Sequence, residues 1–326
     1  MKTLAKALAW AVLGSRPAVR ARLHRHAVAG SVTILNFHRV APFDDSAYPP
    51  LDPKLFETVI AFVAQHYRVV DFAELANLVR DPGAVSGKAR AKPLAIVSFD
   101  DGYRDFIDHA LPVLRRHGIR ANHNFIPGCI EAGMPPFNVI LQDWIGQAPQ
   151  EMVATLFVPG FGLLGPTDDR EATGNRVSAF VKSKPIAQQR QLAATVADYL
   201  ARFEEFRPTP MMTLADVHAV AAEVEVGAHS FDHATLATEE PGYAREDARR
   251  CRDWFTHNLG SSTTIYAVPN GAVREDQLGE LRSEGFNTIL LVGERRSSPA
   301  SRDHPRFTMY GSGSNELIAR ASGFVR

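Results

Sequence analysis

The sequence predicts an α/β protein whose strands run parallel. Two observations carry that prediction. Short apolar runs alternate with stretches of helical periodicity, at lengths that suit successive βα units. The apolar runs also end in side chains able to do chemistry, which is where parallel α/β folds keep their sites. The plainest case is 94–102, L-A-I-V-S-F-D-D-G, where an apolar run after Pro93 passes into two adjacent carboxylates and a glycine. A third observation limits the first: the alternation lapses at about 135–210, which reads as an inserted, mostly helical subdomain.

In chain order, 32–37 (V-T-I-L-N-F) is a first buried strand, ending at His38 and Arg39. A polar, proline-rich loop covers 42–53. Leu55, Phe56, Val59, Ile60 and Val63 recur at helical spacing, with Asp52 placed as N-cap and Pro53 at the first helical position. A short strand at 67–70, a helix at 72–79 and a Pro/Gly/Lys loop at 81–92 lead to the central strand. Neighbouring side chains of a strand point to opposite faces, so Asp100 and Asp101 can serve one site only if the backbone turns there. Gly102 permits that turn.

The spacing then predicts a helix over 106–117 stopped by Gly118, and a strand over 119–126 made polar by Asn122, His123 and Asn124. His123 and Asn124 face the substrate or serve the structure. The insertion holds Trp144, a P-G-F-G-L-L-G-P loop around Pro159 and a helix near 188–203. Phe137, Trp144 and the 160–165 loop form a wall on which a ligand ring could stack or, more ordinarily, core. Beyond it come a helix at 214–222, a strand at 224–228 ending in His229, and a helix at 246–259. A strand at 265–268 ends in Pro269-Asn270-Gly271; a helix at 277–284 and strands at 288–292 and 307–310 follow, and a Gly/Ser loop and a short C-terminal helix close the chain.

Lys plus Arg and Asp plus Glu number 36 each, which excludes a strongly basic nucleic-acid binder. With 45% hydrophobic and 22% charged residues the chain can bury a core and is not disordered. Cys129 and Cys251 allow one disulfide but no disulfide framework and no cysteine zinc site. No apolar run approaches the roughly 18 residues of a membrane span. Lys2 and Lys6 flank an apolar stretch, 7–14, of the length of a short signal core. Arg16, Arg20, Arg22 and Arg25 follow, mixed with Val19 and Leu23, without a small-x-small cleavage site. Segment 1–30 therefore reads as a basic amphipathic helix lying on the protein or, peripherally, on an anionic membrane. The expected location is cytoplasmic, at the inner membrane face, with export as the alternative.

In V-G-A-H-S-F-D-H, His229 and His233 stand four apart, so on a helical turn they share a face and can reach one metal ion. That spacing alone is weak. Its place directly after an apolar strand, like that of the Asp pair, lets two strand ends meet on one rim. Two histidines and one aspartate make a three-ligand site with open positions, and the other aspartate is left to act as base. The bland alternative is a strand-end Asp capping a helix, beside a salt-bridged neighbour.

S-F-D-D-G at 98–102, H-S-F-D-H at 229–233 and Y-A-V-P-N-G at 266–271 resemble, in order and spacing, the leading motifs of the polysaccharide deacetylase family, the NodB-homology carbohydrate esterases. I-L-N-F-H-R-V at 34–40 and L-P-V-L-R-R-H-G-I-R-A at 111–121 add to a resemblance covering most of 31–310, least in the insertion. It implies a distorted, incomplete (β/α) barrel over 31–326, interrupted at about 135–210. It implies hydrolysis of an N-acetyl, or O-acetyl, group on a carbohydrate, polysaccharide or glycolipid precursor. Asp100 would be the base, Asp101, His229 and His233 the ligands of a divalent metal (zinc), and Tyr103, Pro269, Asn270 and Gly271 would meet the substrate.

Two departures from the family pattern stand out. Ala267 occupies the place where many members carry an arginine that holds the base, and Arg306, in H-P-R-F, is expected to pair with Asp100 instead. The late Leu-x-His acid motif is absent; His304, the last histidine, becomes the acid by elimination, with His38 as rival. A glycosidase needs its carboxyls at least about 5 Å apart across a bond, which adjacent aspartates fit poorly. The other alternative is a non-catalytic carbohydrate-binding protein on the same fold; the two departures favour it, and the intact base and ligands oppose it.

Overall fold

The computed structural model describes residues 2–81 and 92–324; of the loop expected at 81–92, residues 82–91 lie outside the described residues. The strands are β1 (Val32–Phe37), β2 (Arg68–Val69), β3 (Leu94–Asp101), β4 (Asn122–Phe125), β5 (Phe157–Val158), β6 (Gly162–Leu163), β7 (Glu225–Ala228), β8 (Ile265–Ala267), β9 (Thr288–Val292) and β10 (Asp303–Thr308). Seven of them close a parallel ring in the order β1-β10-β9-β8-β7-β4-β3, with β3 returning to β1. The short β2 pairs with the lower end of β3, at Leu94 and Ala95. The α/β barrel is therefore present, with seven strands instead of eight.

Strand alternation sorts the side chains into two sets. Leu35, Phe37, Val97 and Phe99 point outward and pack with Phe56, Val59, Ile60 and Val63 of helix Pro53–His66. Asp52 caps that helix, accepting from the Lys54 and Leu55 N–H groups, with Pro53 in its first turn as expected. Val32, Ile34, Ile96, Ile265, Ala267 and Leu290 point inward and are plugged from below by Val70, Phe72 and Leu75. Above this apolar layer the interior turns polar, with Asn36, Ser98, Asn122, Asn124 and Arg306 all buried.

Helices Phe137–Gln147, Gln150–Thr155, Arg170–Lys182 and Ile186–Leu200 build a second core around Leu141, Trp144, Val153, Val177 and Val196. Trp144 is core: its indole N–H donates to the Leu200 carbonyl at 3.1 Å. The glycine-rich stretch expected as a loop forms the antiparallel hairpin β5–β6, with Gly160 and Gly162 at positive φ.

Three more differences have physical causes. The expected helix over 106–117 opens as a π-helical turn, Phe106–Ala110, because Pro112 has no N–H to continue an α ladder. The last strand begins at Asp303, earlier than predicted, since polar interior residues and Pro305 do not look like strand. The N-terminal segment forms two helices, Lys2–Leu13 and Arg16–Ala29, which lie on the chain's own C-terminal helix, Ser314–Ala321. Val19, Leu23 and His26 are buried there, Arg22 covers Phe324 and Arg320 covers Trp10. No helix among the described residues is long and apolar enough to cross a membrane. Cys129 and Cys251 are both free and buried.

Candidate active site

β3 ends in a left-handed turn that starts one residue before the glycine, at Asp101 (φ 80) and Gly102 (φ 86). Asp100 keeps its strand orientation toward the barrel interior, and the turn swings Asp101 to the same mouth. The two histidines arrive by a different route from the one expected. Residues 229–235 form a loop and not a helical turn, with Ser230 (φ 59) and His233 (φ 60) left-handed. Asp247, buried on helix Tyr243–Leu259, fixes that loop. It accepts from the Ser230 hydroxyl at 2.8 Å, the Phe231 N–H at 2.9 Å and the Tyr266 hydroxyl at 2.6 Å. Strained non-glycine backbone costs about 1–3 kcal/mol per residue and gathers at functional sites; here Asp101, Ser230, His233 and Asn270 all have it.

Asp101 Oδ1 lies 3.3 Å from His229 Nε2 and 3.6 Å from His233 Nε2. The donor atoms of the three residues lie within 4.8 Å of one another. His229 Nδ1 is 2.9 Å from the Ala267 carbonyl, which can only accept, so Nδ1 carries the proton. His229 Nε2 then faces the buried Asp101 Oδ1; burial pulls this imidazole down, but Asp100 and Asp101 outweigh burial and push it up. Two imidazoles and a carboxylate this close together suit a cation, which would take the place of the proton that His229 and Asp101 share. Burial would push the Asp101 carboxyl up, but His229, His233 and His38 hold it well below the usual range. Burial pulls the His233 imidazole down to about 3, leaving it neutral and free to ligate.

Asp100 is held separately. Its Oδ1 accepts from Arg306 Nη1 at 2.8 Å and Asn124 Nδ2 at 2.8 Å; its Oδ2 accepts from Arg306 Nη2 at 2.8 Å and Asn36 Nδ2 at 2.9 Å. Burial disfavours its charge, but Arg306 and then His229 outweigh burial and keep the carboxyl ionised. Oδ2 also stands 4.0 Å from His229 Nε2 and 3.9 Å from His38 Nε2.

These groups open into a cavity of about 310 Å³. Its floor is the C-terminal ends of the strands: His38, Asp100, Asp101, His229, Val268, Val292 and Thr308. Its far wall is the inserted helices. Tyr103 lines it with an unpartnered hydroxyl, and Asn270 lines it while donating to Thr235 Oγ1 at 2.8 Å. Pro269 and Gly271 do not line it. Gly271 shapes the loop, because a Cβ there would lie 2.7 Å from Val292 Cβ.

His304 is the clear correction. It sits inside the barrel two residues below Arg306, hydrogen-bonded through Nδ1 to Ser297 Oγ at 2.8 Å and 5.4 Å from the Phe72 ring, and it does not line the cavity. His38 does, with 27% of its side chain exposed. His123 points outward among Phe99, Phe106 and Phe125, while Asn124 points inward to Asp100. Asn36 and Asp247 were not singled out in the sequence. For Asn36 a signal existed, a polar residue sharing a strand face with Val32 and Ile34. For Asp247, in a charged helix, there was none.

The polysaccharide deacetylase family model matches residues 213–289, the stretch that carries the two histidines and the Y-A-V-P-N-G motif. No curated protein matches the sequence. Among solved structures, the Streptococcus pyogenes deacetylase PplD, in complex with acetate, superposes with a TM-score of 0.57 at 15% identity, covering 88% of this chain and 96% of that one. IcaB from Ammonifex degensii gives a TM-score of 0.54 at 17% identity, over 90% and 97%. A de-N-acetylase from Aggregatibacter actinomycetemcomitans gives 0.52 at 12%, over 84% and 93%. At these identities the likeness is one of fold. Taken with the sequence match over 213–289, it makes the chain similar to the polysaccharide deacetylases, hydrolases that act on carbon–nitrogen bonds.

Proposed function

We propose that this protein is a metal-dependent deacetylase that removes an N-acetyl, or O-acetyl, group from a carbohydrate. The observation that carries this reading is the convergence of Asp101, His229 and His233 beside a second carboxylate, Asp100, tied up by other partners. Asp101, His229 and His233 would hold the cation, and two imidazoles with one carboxylate suit zinc. Bound there, the cation would supply Lewis acidity toward the acetyl carbonyl and make water more acidic.

The chain's own residues do the rest. Asp100 takes the proton of the attacking water at Oδ2, the oxygen nearer His38 and His229. With two donors on each oxygen it is a weak base, and Asn36 must yield as the proton arrives. Arg306 fixes its orientation. Water adds to the acetyl carbon, the carbon–nitrogen bond breaks, and His38 gives the leaving nitrogen its proton. Burial pulls the His38 imidazole down against the pull of Asp101 and Asp100, so it is neutral at rest; it takes up the proton that Asp100 received, 3.9 Å away, and passes that proton to the nitrogen.

The test is acetate release from N-acetylated oligosaccharides by zinc-loaded protein, with Asp100→Asn as control. Stoichiometric zinc, with acetate formed by the wild type and lost in the variant, is the expected result. Absence of both zinc and acetate in the wild type sinks the reading.

A further inference from the structure

The cavity wall opposite the ligand cluster is built by the insertion. Asn175, Ser178 and Lys182 stand at i, i+3 and i+7 on helix Arg170–Lys182 and so share one face. Asn138 and Gln142 join them from helix Phe137–Gln147. The neutral members are partly satisfied by one another: Asn138 Nδ2 donates to Ser178 Oγ and Gln142 Nε2 to Asn175 Oδ1, both at 3.2 Å. Lys182 differs. Its ammonium group is partly buried, with burial pulling its pKa down and Asp101 pulling it up, and its side chain makes no hydrogen bond or ion pair with any described residue. Its charge is felt at both Asp101 and His233.

The turn after Lys182 is pinned to the segment that follows β7 and carries both histidines. The Ile186 N–H donates to Glu239 Oε1 at 2.7 Å, and Arg190 pairs with Asp232 at 2.8 Å. Lys184, two residues on, lies over the Phe180 ring instead. The carboxylates lining the cavity, Asp100 and Asp101, are balanced by Arg306 and Lys182. A divalent cation on the three ligands would leave the cavity as a whole positive, where solvent screens poorly.

We propose that Lys182 is a specificity residue that reads an anionic substituent, a carboxylate or a phosphate, on the acetylated sugar. The substrate is then an acidic glycan and not a neutral chitin-like chain. The inference rests on the deacetylase reading and deepens it.

The test compares three probes on the full chain loaded with zinc: N-acetylglucosamine, N-acetylglucosaminuronic acid and N-acetylglucosamine 6-phosphate. Affinity is read by calorimetry and acetate release in parallel, for the wild type, Lys182→Gln and Lys182→Arg. The expected result is roughly tenfold tighter binding of a charged probe than of the neutral one, shrinking with salt, as for a partly desolvated ion contact. In Lys182→Gln that ratio falls to about 1 and Lys182→Arg restores it, with thermal midpoints unmoved. Preference for the uronate alone, or the phosphate alone, identifies the source of the anion. A wild type that binds neither charged probe more tightly than the neutral one overturns the proposal. So does a Lys182→Gln variant that weakens charged and neutral probes alike. Acetate release without charge preference defeats this inference only; charge-selective binding without acetate release defeats the deacetylase reading and leaves the subsite standing.

Discussion

Arg306 in β10 holds both carboxylate oxygens of Asp100 in β3, Nη1 on Oδ1 and Nη2 on Oδ2, each at 2.8 Å. The same guanidinium Nη1 donates to Asn36 Oδ1 and Ser98 Oγ, so one buried side chain orders three strands around the base. Lysine keeps the charge but not the planar fork. Arg306→Lys should lower kcat about 100-fold, the cost of a misplaced catalytic group. Arg306→Ala leaves a buried carboxylate unpaired and should cost about 3–5 kcal/mol of stability in urea unfolding. Unchanged turnover in Arg306→Ala would refute the positioning role.

Metal binding is separable from catalysis. Asp101→Asn and His233→Ala should each lose stoichiometric zinc by elemental analysis. Zinc at 100-fold over its Kd should stabilise the wild type by about 2.7 kcal/mol and these variants hardly at all. Equal stabilisation of wild type and variants would place the ion elsewhere.

The two candidate acids predict different phenotypes. His38→Asn should lose about 10²–10⁴ in turnover on amides. It should keep its zinc and still cleave p-nitrophenyl acetate, whose leaving group needs no proton. His304→Asn should stay within about twofold on both substrates, because His304 lies in the lower barrel. Equal loss on both substrates in His38→Asn would remove it as the acid.

Two histidines remote from the metal ligands set an acid limit on stability. Burial, aided by Arg296, Arg22 and Arg25, pulls His26 from 6.5 to about 4. Burial, opposed by Asp303 and the Ser301 backbone, also takes His304 to about 4. The unfolded chain therefore binds more protons than the folded one between these values, so their contribution is complete above pH 6.5 and is lost as pH falls toward 4. Urea midpoints should drop over that window, less steeply in His26→Asn and in His304→Asn. A slope unchanged in both variants would contradict this.

Gly227 in β7 keeps the base in place by lacking a side chain. A Cβ there would lie 2.0 Å from Asn124 Oδ1 and 3.0 Å from Ile265 Cγ2. Gly227→Ala should cost about 1–3 kcal/mol as overpacking. By displacing Asn124 from Asp100 it should lower turnover while zinc content stays at the wild-type level. Wild-type stability and turnover would show that Asn124 has room to move.

The chain by itself specified what local physics can encode. The Asp52 cap, the strand–helix alternation, and acids and imidazoles at the ends of apolar strands were legible, because capping and periodicity are properties of neighbouring residues. The expectation that Arg306 meets Asp100 came from the family resemblance, and the contact is there. Depth within the barrel was not legible. His304 and Arg306 are two residues apart on one strand face, about 7 Å along the axis, and that rise puts one beneath the site and the other in it. The left-handed loop that aims His229 and His233 rests on Asp247, a residue from a later helix. Lys182 carries no motif; its helix reaches the cavity by packing in the second core, and the turn after it is tied to Glu239 and Asp232. Sequence determined which groups stand at the ends of strands; only the closed ring and the packed insertion decided which of them share one cavity, because that sharing depends on contacts between residues far apart in the chain.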